Sequence, residues 1–370
     1  MKSEAPSPPR DPAATPGQVV LVLQGGGALG AYQAGVYQAM HEEGIEPDWV
    51  IGTSIGAING ALIAGNRVER RLERVKSFWS RVSGGHLAGT TTAKSVSQFV
   101  ANFSVLAGGV PGFFCPRPLG WLGIYSDAGV DRASYYSTEA LEKTLYELVD
   151  PDALRSCQPR LTVGAVNIAS GMMRYFDSRE ETLTIDHIRA SGALPPYFSA
   201  VRIGSEVYWD GGIYSNTPIE AVLDDRPRRD SLIFAVQVWQ PTGAEPSSIW
   251  QVLSRQKDIQ YASRDMSHLA RQRQIHRLRH IIRELSGRLS KEQLDQPDVQ
   301  ELVSYGCGTT MHVVHLQAPC IDGENHTKDI DFTPRGVQLR WDAGYTDALN
   351  ALARRAWLDR CEPIEGIVEH

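Results

Sequence analysis

Twice in succession near its start, the chain runs a short apolar strand pattern into a glycine-bearing turn and then into a helical pattern. Val19-Val20-Leu21-Val22-Leu23 is rich in β-branched residues and ends at Gly25-Gly26-Gly27, which reads as a buried parallel strand entering a tight turn. Leu29, Tyr32, Val36 and Met40 then recur on one helical face, and Gly44 stands where a glycine would stop that helix. Trp49-Val50-Ile51 begins a second strand, Gly52-Thr53-Ser54-Ile55-Gly56 turns it, and Ile58, Leu62 and Ile63 carry a second helix up to Gly65. Two strand–turn–helix units in a row predict a parallel sheet, because parallel neighbours need a crossover to join them.

Further strands are expected over 161–167, 201–209, 232–238 and 312–316, with a helix over 138–149 between some of them. The alternation favours an α/β sheet throughout. Residues 1–17 are rich in proline and alanine, lack the charged start and apolar stretch of a secretory signal, and are expected to be a disordered tail. An irregular apolar insertion, 94–125, mixes Phe103, Phe113, Phe114 and Trp121 with glycines and prolines; a lid and a plain core covering are equally good readings of it. Thr333-Pro334 followed by Val337, Trp341, Tyr345, Leu349 and Leu352 predicts a capped terminal helix with an apolar face.

A net charge of -6 and a pI near 6.0 argue against a nucleic-acid binder, since neutralising phosphates needs a basic surface. Cys115, Cys157, Cys307, Cys320 and Cys361 are odd in number, widely spaced and without a CxxC pair, so they read as reduced core thiols rather than a disulfide framework or zinc site. His312 and His315 sit three apart in an expected strand, where they face opposite sides, and are taken as structural. No apolar run reaches the roughly 18 residues that span a bilayer. The cytoplasm is the expected location, with peripheral membrane contact open.

A strand–GxSxG–helix context forces a serine onto a sharp turn with its hydroxyl exposed, and Ser54 fits that nucleophile role. A serine capping the following helix is the competing account, and the pentapeptide alone does not decide between them. Gly25-Gly26-Gly27, completed by Gly30, suits either a dinucleotide-binding turn or backbone donors for an oxyanion. A dinucleotide fold wants an acidic residue at the end of the second strand, and Ile51, Gly52 and Thr53 stand there instead. A right-handed crossover would bring the two turns side by side, with glycine amides facing Ser54. Acyl transfer needs that pairing, because charge builds on the carbonyl oxygen in the transition state.

Gly25-Gly26-Gly27-Ala28-Leu29-Gly30 followed by Gly52-Thr53-Ser54-Ile55-Gly56 is similar to the opening of the patatin-like phospholipases. Ala190-Ser191-Gly192-Ala193-Leu194-Pro195 resembles that family's segment beside the active site, and Asp210-Gly211-Gly212 resembles its Asp-Gly-Gly/Ala motif. The resemblance covers roughly 19–223. It implies a three-layer α/β/α sandwich of patatin type with a mostly parallel central sheet, an acyl hydrolase domain over 18–223, and an additional region over 224–370, partly helical, that completes or packs on the core. It also implies a Ser54–Asp210 dyad without histidine, oxyanion donors at Gly25, Gly26, Gly27 and Ile55, and supporting glycines at Gly30, Gly52, Gly56, Gly211 and Gly212. Leu29 departs from the family, many of whose members carry Arg or Lys there. Acyl lipids are the implied substrates. No metal or organic cofactor is required, because nucleophile, base and oxyanion donors are all protein groups.

Two rivals remain. An α/β-hydrolase triad would draw on His268, His276, His280, His312 or His315, which all follow Asp210, but that fold places several strands before its nucleophile and only two precede Ser54. A membrane-surface or regulatory protein is suggested by 255–292, with ten Lys or Arg against four Asp or Glu. There Ile259, Ala262, Met266 and Leu269, then Leu278, Ile282, Leu285 and Leu289, recur at helical spacing, so a basic amphipathic helix is expected, its stripe more simply packed on the core than on lipid. The sequence leaves the oligomeric state open.

Overall fold

The computed structural model describes residues 15–84, 107–117, 127, 129–156, 158–321, 324, 326–360, 362 and 364–370. Its strands are β1 (Gln18–Leu23), β2 (Trp49–Thr53), β3 (Cys115–Pro116), β4 (Tyr136–Ser137), β5 (Arg160–Asn167), β6 (Met173–Asp177), β7 (Val201–Ile203), β8 (Glu206–Asp210), β9 (Ser231–Gln237), β10 (Met311–Gln317) and β11 (Ile367–Glu369). One sheet runs in the order β11-β10-β9-β1-β2-β5-β8-β7, with β6 also on β5, while β3 and β4 form a separate pair. Pairing is parallel from β11 across to β5 and antiparallel from β5 to β6, β8 and β7.

The expected strand over 201–209 is instead a hairpin, β7 turning back into β8 at Gly204, where φ is +60°. Gly204-Ser205 was the turn signal within that stretch.

Both faces of β1 are covered, which is why its sequence is uniformly apolar rather than alternating. Val19, Leu21 and Leu23 enter one core with α1 (Ala31–Glu42), α2 (Ile55–Ala64) and α3 (Val68–Val82). Val20 and Val22 enter the other with Ile219, Val222, Leu269 and Val313. Two further helices, α4 (Glu139–Leu148) and α5 (Ile185–Ser191), add Leu145 and Ile188 to the first core. The layers are therefore helix, mostly parallel sheet and helix.

Two long helices follow in the C-terminal part, α6 (Ile249–Ser286) and α7 (Pro334–Arg354). The Thr333 hydroxyl accepts the Gly336 N–H at 3.1 Å and caps α7, as Thr-Pro predicts. α7 packs on α1 at glycine contacts: a Cβ on Gly35 would lie 1.9 Å from the Trp341 carbonyl, and one on Gly344 2.0 Å from that of Tyr32.

α6 is one continuous helix across most of the basic window, but its buried side differs from the apolar stripe read in the sequence. Ala262 and Leu269 are buried; beyond them His276 and His280 turn inward, while Leu278 and Leu285 are more than half exposed. The imidazoles take the inward positions because each finds a backbone carbonyl, Leu223 for His276 at 3.2 Å and Thr309 for His280 at 2.9 Å.

Only Cys307 among the described thiols is buried; Cys115 and Cys320 are exposed, which corrects their reading as core residues. Cys115 opens the short strand β3, which lies outside the main sheet, and Cys320 lies three residues beyond the end of β10. Cys157 and Cys361, residues 1–14 of the expected tail, and 94–106 and 118–125 of the expected insertion, Phe103 and Trp121 included, lie outside the described residues. Phe113 and Phe114 are buried against Phe198, with ring centroids 6.2 and 5.4 Å away. Among the described residues no helix is long and apolar enough to cross a membrane.

Candidate active site

Ser54 stands between β2 and α2 at φ +57° and ψ -123°, a left-handed conformation rare for a residue with a side chain. It is held there by its neighbours. The turn is sharp because strand and helix touch: a Cβ on Gly52 would lie 2.3 Å from the Gly56 carbonyl, and one on Gly56 2.2 Å from that of Leu23. The Ser54 N–H donates to the carbonyl and the hydroxyl of Ser191, each at 3.1 Å, and the Ser191 hydroxyl donates to the Gly164 carbonyl at 2.7 Å. In a stretch that is otherwise buried from Trp49 to Ala64, Ser54 alone is partly exposed.

Asp210 ends β8 and is buried, with 2% of its surface exposed. Its Oδ1 accepts the Gly212 N–H at 2.7 Å, and the Ser54 side chain lies close enough to influence the carboxyl's titration. Its own N–H donates to the Ala193 carbonyl at 3.0 Å. One segment, 191–193, thus braces both Ser54 and Asp210. Burial pushes the Asp210 carboxyl up to about 7, against the lowering effect of the Ser54 side chain and the Gly212 N–H. Gly211 passes close to β5, where a Cβ would meet the Gly164 carbonyl at 2.4 Å.

The glycine turn lies against Ser54, for a Cβ on Gly25 would sit 3.1 Å from that of Ser54. The Gly25 N–H is committed to the Asn216 carbonyl at 3.1 Å, which removes it from the expected oxyanion donors. Gly26 and Gly27 are partly exposed. Ile55 supplies the first N–H of α2, which has no acceptor within the helix, and its side chain fills the space that Gly30 leaves free. Leu29 is in the core, 4% exposed. Helix-start dipole and loose amides favour an anion at this place.

Among the described residues no histidine hydrogen-bonds to Ser54 or Asp210. His276 and His280 hold the carbonyls already named, His312 Nδ1 is 2.9 Å from His370 Nε2, and His315 lies 3.3 Å from Glu369. No group of three His, Cys, Asp or Glu among the described residues is arranged to hold a metal.

Four residues around the site escaped the sequence reading. Gln24 is fully buried; its Oε1 accepts from the Val238 and Trp239 N–H groups at 2.6 and 3.1 Å, and its Nε2 donates to Thr217 at 2.7 Å. Asn216 and Trp239 both donate to the Gly25 carbonyl, at 3.0 and 2.7 Å. Tyr261 stacks on Trp239 with centroids 4.9 Å apart; burial, then the charges of Asp210 and Asp329, push its phenol up to about 12, so it stays neutral. A polar Gln24 closing an apolar strand was the one visible signal; the others come from distant segments.

A family model described as Patatin-like phospholipase matches residues 21–223, and one described as Patatin phospholipase matches 259–364. Lysophospholipase NTE1 of Debaryomyces hansenii is 24% identical over 237 residues, 64% of this chain and 13% of that protein. The uncharacterized protein YqhO of Bacillus subtilis is 25% identical over 223 residues, 56% of this chain and 67% of that protein. Human patatin-like phospholipase domain-containing protein 6 is 43% identical over 63 residues, 17% of this chain and 5% of that protein. The chain spans a small fraction of the length of the lysophospholipase NTE1 and human relatives. With the first family model matching over half of its residues, and with a mixed α/β sheet of the expected kind beneath that match, the chain belongs to the patatin-like phospholipases, a family of lipid acyl hydrolases.

Proposed function

We propose that this protein cleaves lipid acyl esters through a Ser54–Asp210 dyad and an acyl-enzyme. The observation that carries the reading is that the Ser54 side chain, at a backbone turn that few serines adopt, lies close enough to the buried Asp210 carboxyl to influence its titration. Ser54 Oγ forms a bond to the ester carbonyl carbon while its proton passes to Asp210, and the carbonyl oxygen becomes an oxyanion near the Gly26, Gly27 and Ile55 N–H groups. Collapse breaks the bond to the leaving alcohol, which takes the proton from Asp210. Water then attacks the acyl-enzyme, giving its proton to Asp210, and Ser54 recovers it as the fatty acid leaves. A carboxyl pushed up to about 7 suits both directions of transfer near neutral pH.

Fluorophosphonate labelling and an ester panel test this. Wild type should label and turn over, whereas Ser54→Ala should not label and Asp210→Asn should lose activity by roughly 10³-fold or more. A Ser54→Ala protein that labels and hydrolyses like wild type would end the proposal.

Peripheral membrane contact through 255–292 belongs to the same reading. Leu278, Leu285 and Leu289 are exposed on α6 and just beyond it, beside Arg277, Arg283 and Arg288. Co-sedimentation with anionic and neutral vesicles tests it: binding that favours anionic vesicles is expected, and equal, negligible binding to both overturns it.

A further inference from the structure

The Gly25 carbonyl is gripped from two directions. Trp239 Nε1 donates to it at 2.7 Å and Asn216 Nδ2 at 3.0 Å, while the Gly25 N–H is returned to the Asn216 carbonyl at 3.1 Å. Both faces of that residue's peptide bonding are thereby used up. A trans peptide is planar with its C=O and N–H opposed, so fixing the Gly25 oxygen fixes the direction of the Gly26 N–H. That N–H is directed opposite to the Gly25 C=O and so away from the two donors that hold it, and the glycine it follows lies against Ser54, where a Cβ on Gly25 would come within 3.1 Å of that of Ser54.

The indole itself is held. Trp239 is 2% exposed, its ring lies against Tyr261 with Lys328 Nζ 5.3 Å from its centroid, and the Val238 and Trp239 N–H groups both bind Gln24 Oε1. The Tyr261 carbonyl accepts the Asn216 side-chain N–H at 3.3 Å, tying the second arm of the grip to α6. A carbonyl of Asp329 closes on Gly27, where a Cβ would meet it at 2.3 Å. Trp239, Tyr261 and Asp329 all lie beyond residue 223, where the Patatin-like phospholipase match stops.

We propose that Trp239 is a positioning residue for oxyanion stabilisation, acting through the Gly25 carbonyl to aim the Gly26 N–H, and that the chain beyond residue 223 serves catalysis by supplying this brace. The proposal rests on the Ser54 acyl-enzyme reading. A donor that is already oriented stabilises the transition state without reorganisation, whereas one free to swing must be ordered during the reaction. Removal of the indole N–H therefore acts on the transition state and leaves ground-state binding alone.

The experiment uses the full-length protein with Trp239→Phe and, as an isostere that keeps the ring's shape but not its N–H, 3-benzothienylalanine at position 239. Steady-state hydrolysis of a p-nitrophenyl acyl ester is measured beside inhibition by an alkyl trifluoromethyl ketone, whose adduct with the nucleophile places an oxyanion where the ester's would form. The expected result is kcat lower by roughly 10-fold, less than the 10²–10³ for deleting a donor outright, with KM within about twofold and the inhibition constant raised in step with the loss in kcat/KM. Unchanged kcat in the isostere overturns the proposal, and so does a lower kcat with an unchanged inhibition constant, which marks loss of folded enzyme alone. Ser54→Ala separates the two ideas: if that variant is inert while the position-239 variants behave like wild type, the brace fails and the nucleophile reading stands; if Ser54→Ala is active, the nucleophile reading itself fails.

Discussion

Thr53 and Asp210 face consecutive residues of one strand, Gly164 and Ala165 of β5. β6 occupies the opposite edge of β5 over the same stretch, so β2 and β8 share one edge and meet end to end. The residue after Thr53 is Ser54, and Asp210 is the last of β8; sheet register alone therefore brings the two side chains together.

With the Asp210 carboxyl at about 7, chiefly through burial, the base form is scarce in acid. kcat/KM should fall about tenfold per pH unit below 7 and level off above it. A pH–rate profile on a neutral ester checks this, and an acid limb centred near 4 would contradict the assignment of Asp210 as base.

The same shift makes Asp210 a cost to the fold. Its folded value lies above its unfolded value, so the native state holds the proton more tightly and stability declines as pH rises from about 4 to about 7, then stays flat. Asp210→Asn removes that cost. Thermal melting should show the variant more stable than wild type at pH 8, by something on the order of a few kcal/mol, and level with it near pH 4.

His276 is fully buried, with burial driving its pKa down to about 4. Here the sign reverses: the unfolded chain takes up the proton first, so this group's contribution is complete above about 6.5 and is lost as pH falls towards 4. His276→Ala should lower the melting temperature at pH 8, leaving the Leu223 carbonyl without its donor, while kcat per folded molecule stays at the wild-type level. A loss of several orders of magnitude in kcat would instead restore a histidine triad.

Gly35→Ala places a methyl where the Trp341 carbonyl approaches to 1.9 Å, and backbone cannot yield as a side-chain tip does. The α1–α7 contact must open. Denaturant titration should register a loss of about 1–3 kcal/mol or more, without a change in the pH profile of activity.

The two residues of the proposed dyad stand out in the sequence because each carries a local signature. Ser54 sits in a pentapeptide whose glycines are demanded by contact between β2, α2 and β1; Asp210 sits before two glycines, the first pressed on the backbone of β5 and the second on the Asn216 side chain. Leu278 and Leu285 misled because helical periodicity marks apolar positions without knowing that buried histidines can be satisfied by carbonyls from other segments. The hairpin at Gly204 was missed because its two short arms both carry strand-forming residues.

The sequence by itself determined the strand–turn–helix units, their burial on both faces and the identity of Ser54, Asp210 and the glycine turn, since backbone sterics and hydrophobic periodicity act within a few residues. Only the tertiary structure decided that the Gly25 N–H is already taken, that Ser191 and Ala193 brace the pair, and that Trp239, Asn216 and Tyr261 close around the glycine turn. Those bonds join residues up to 214 positions apart, and no local pattern encodes a partner that far along the chain.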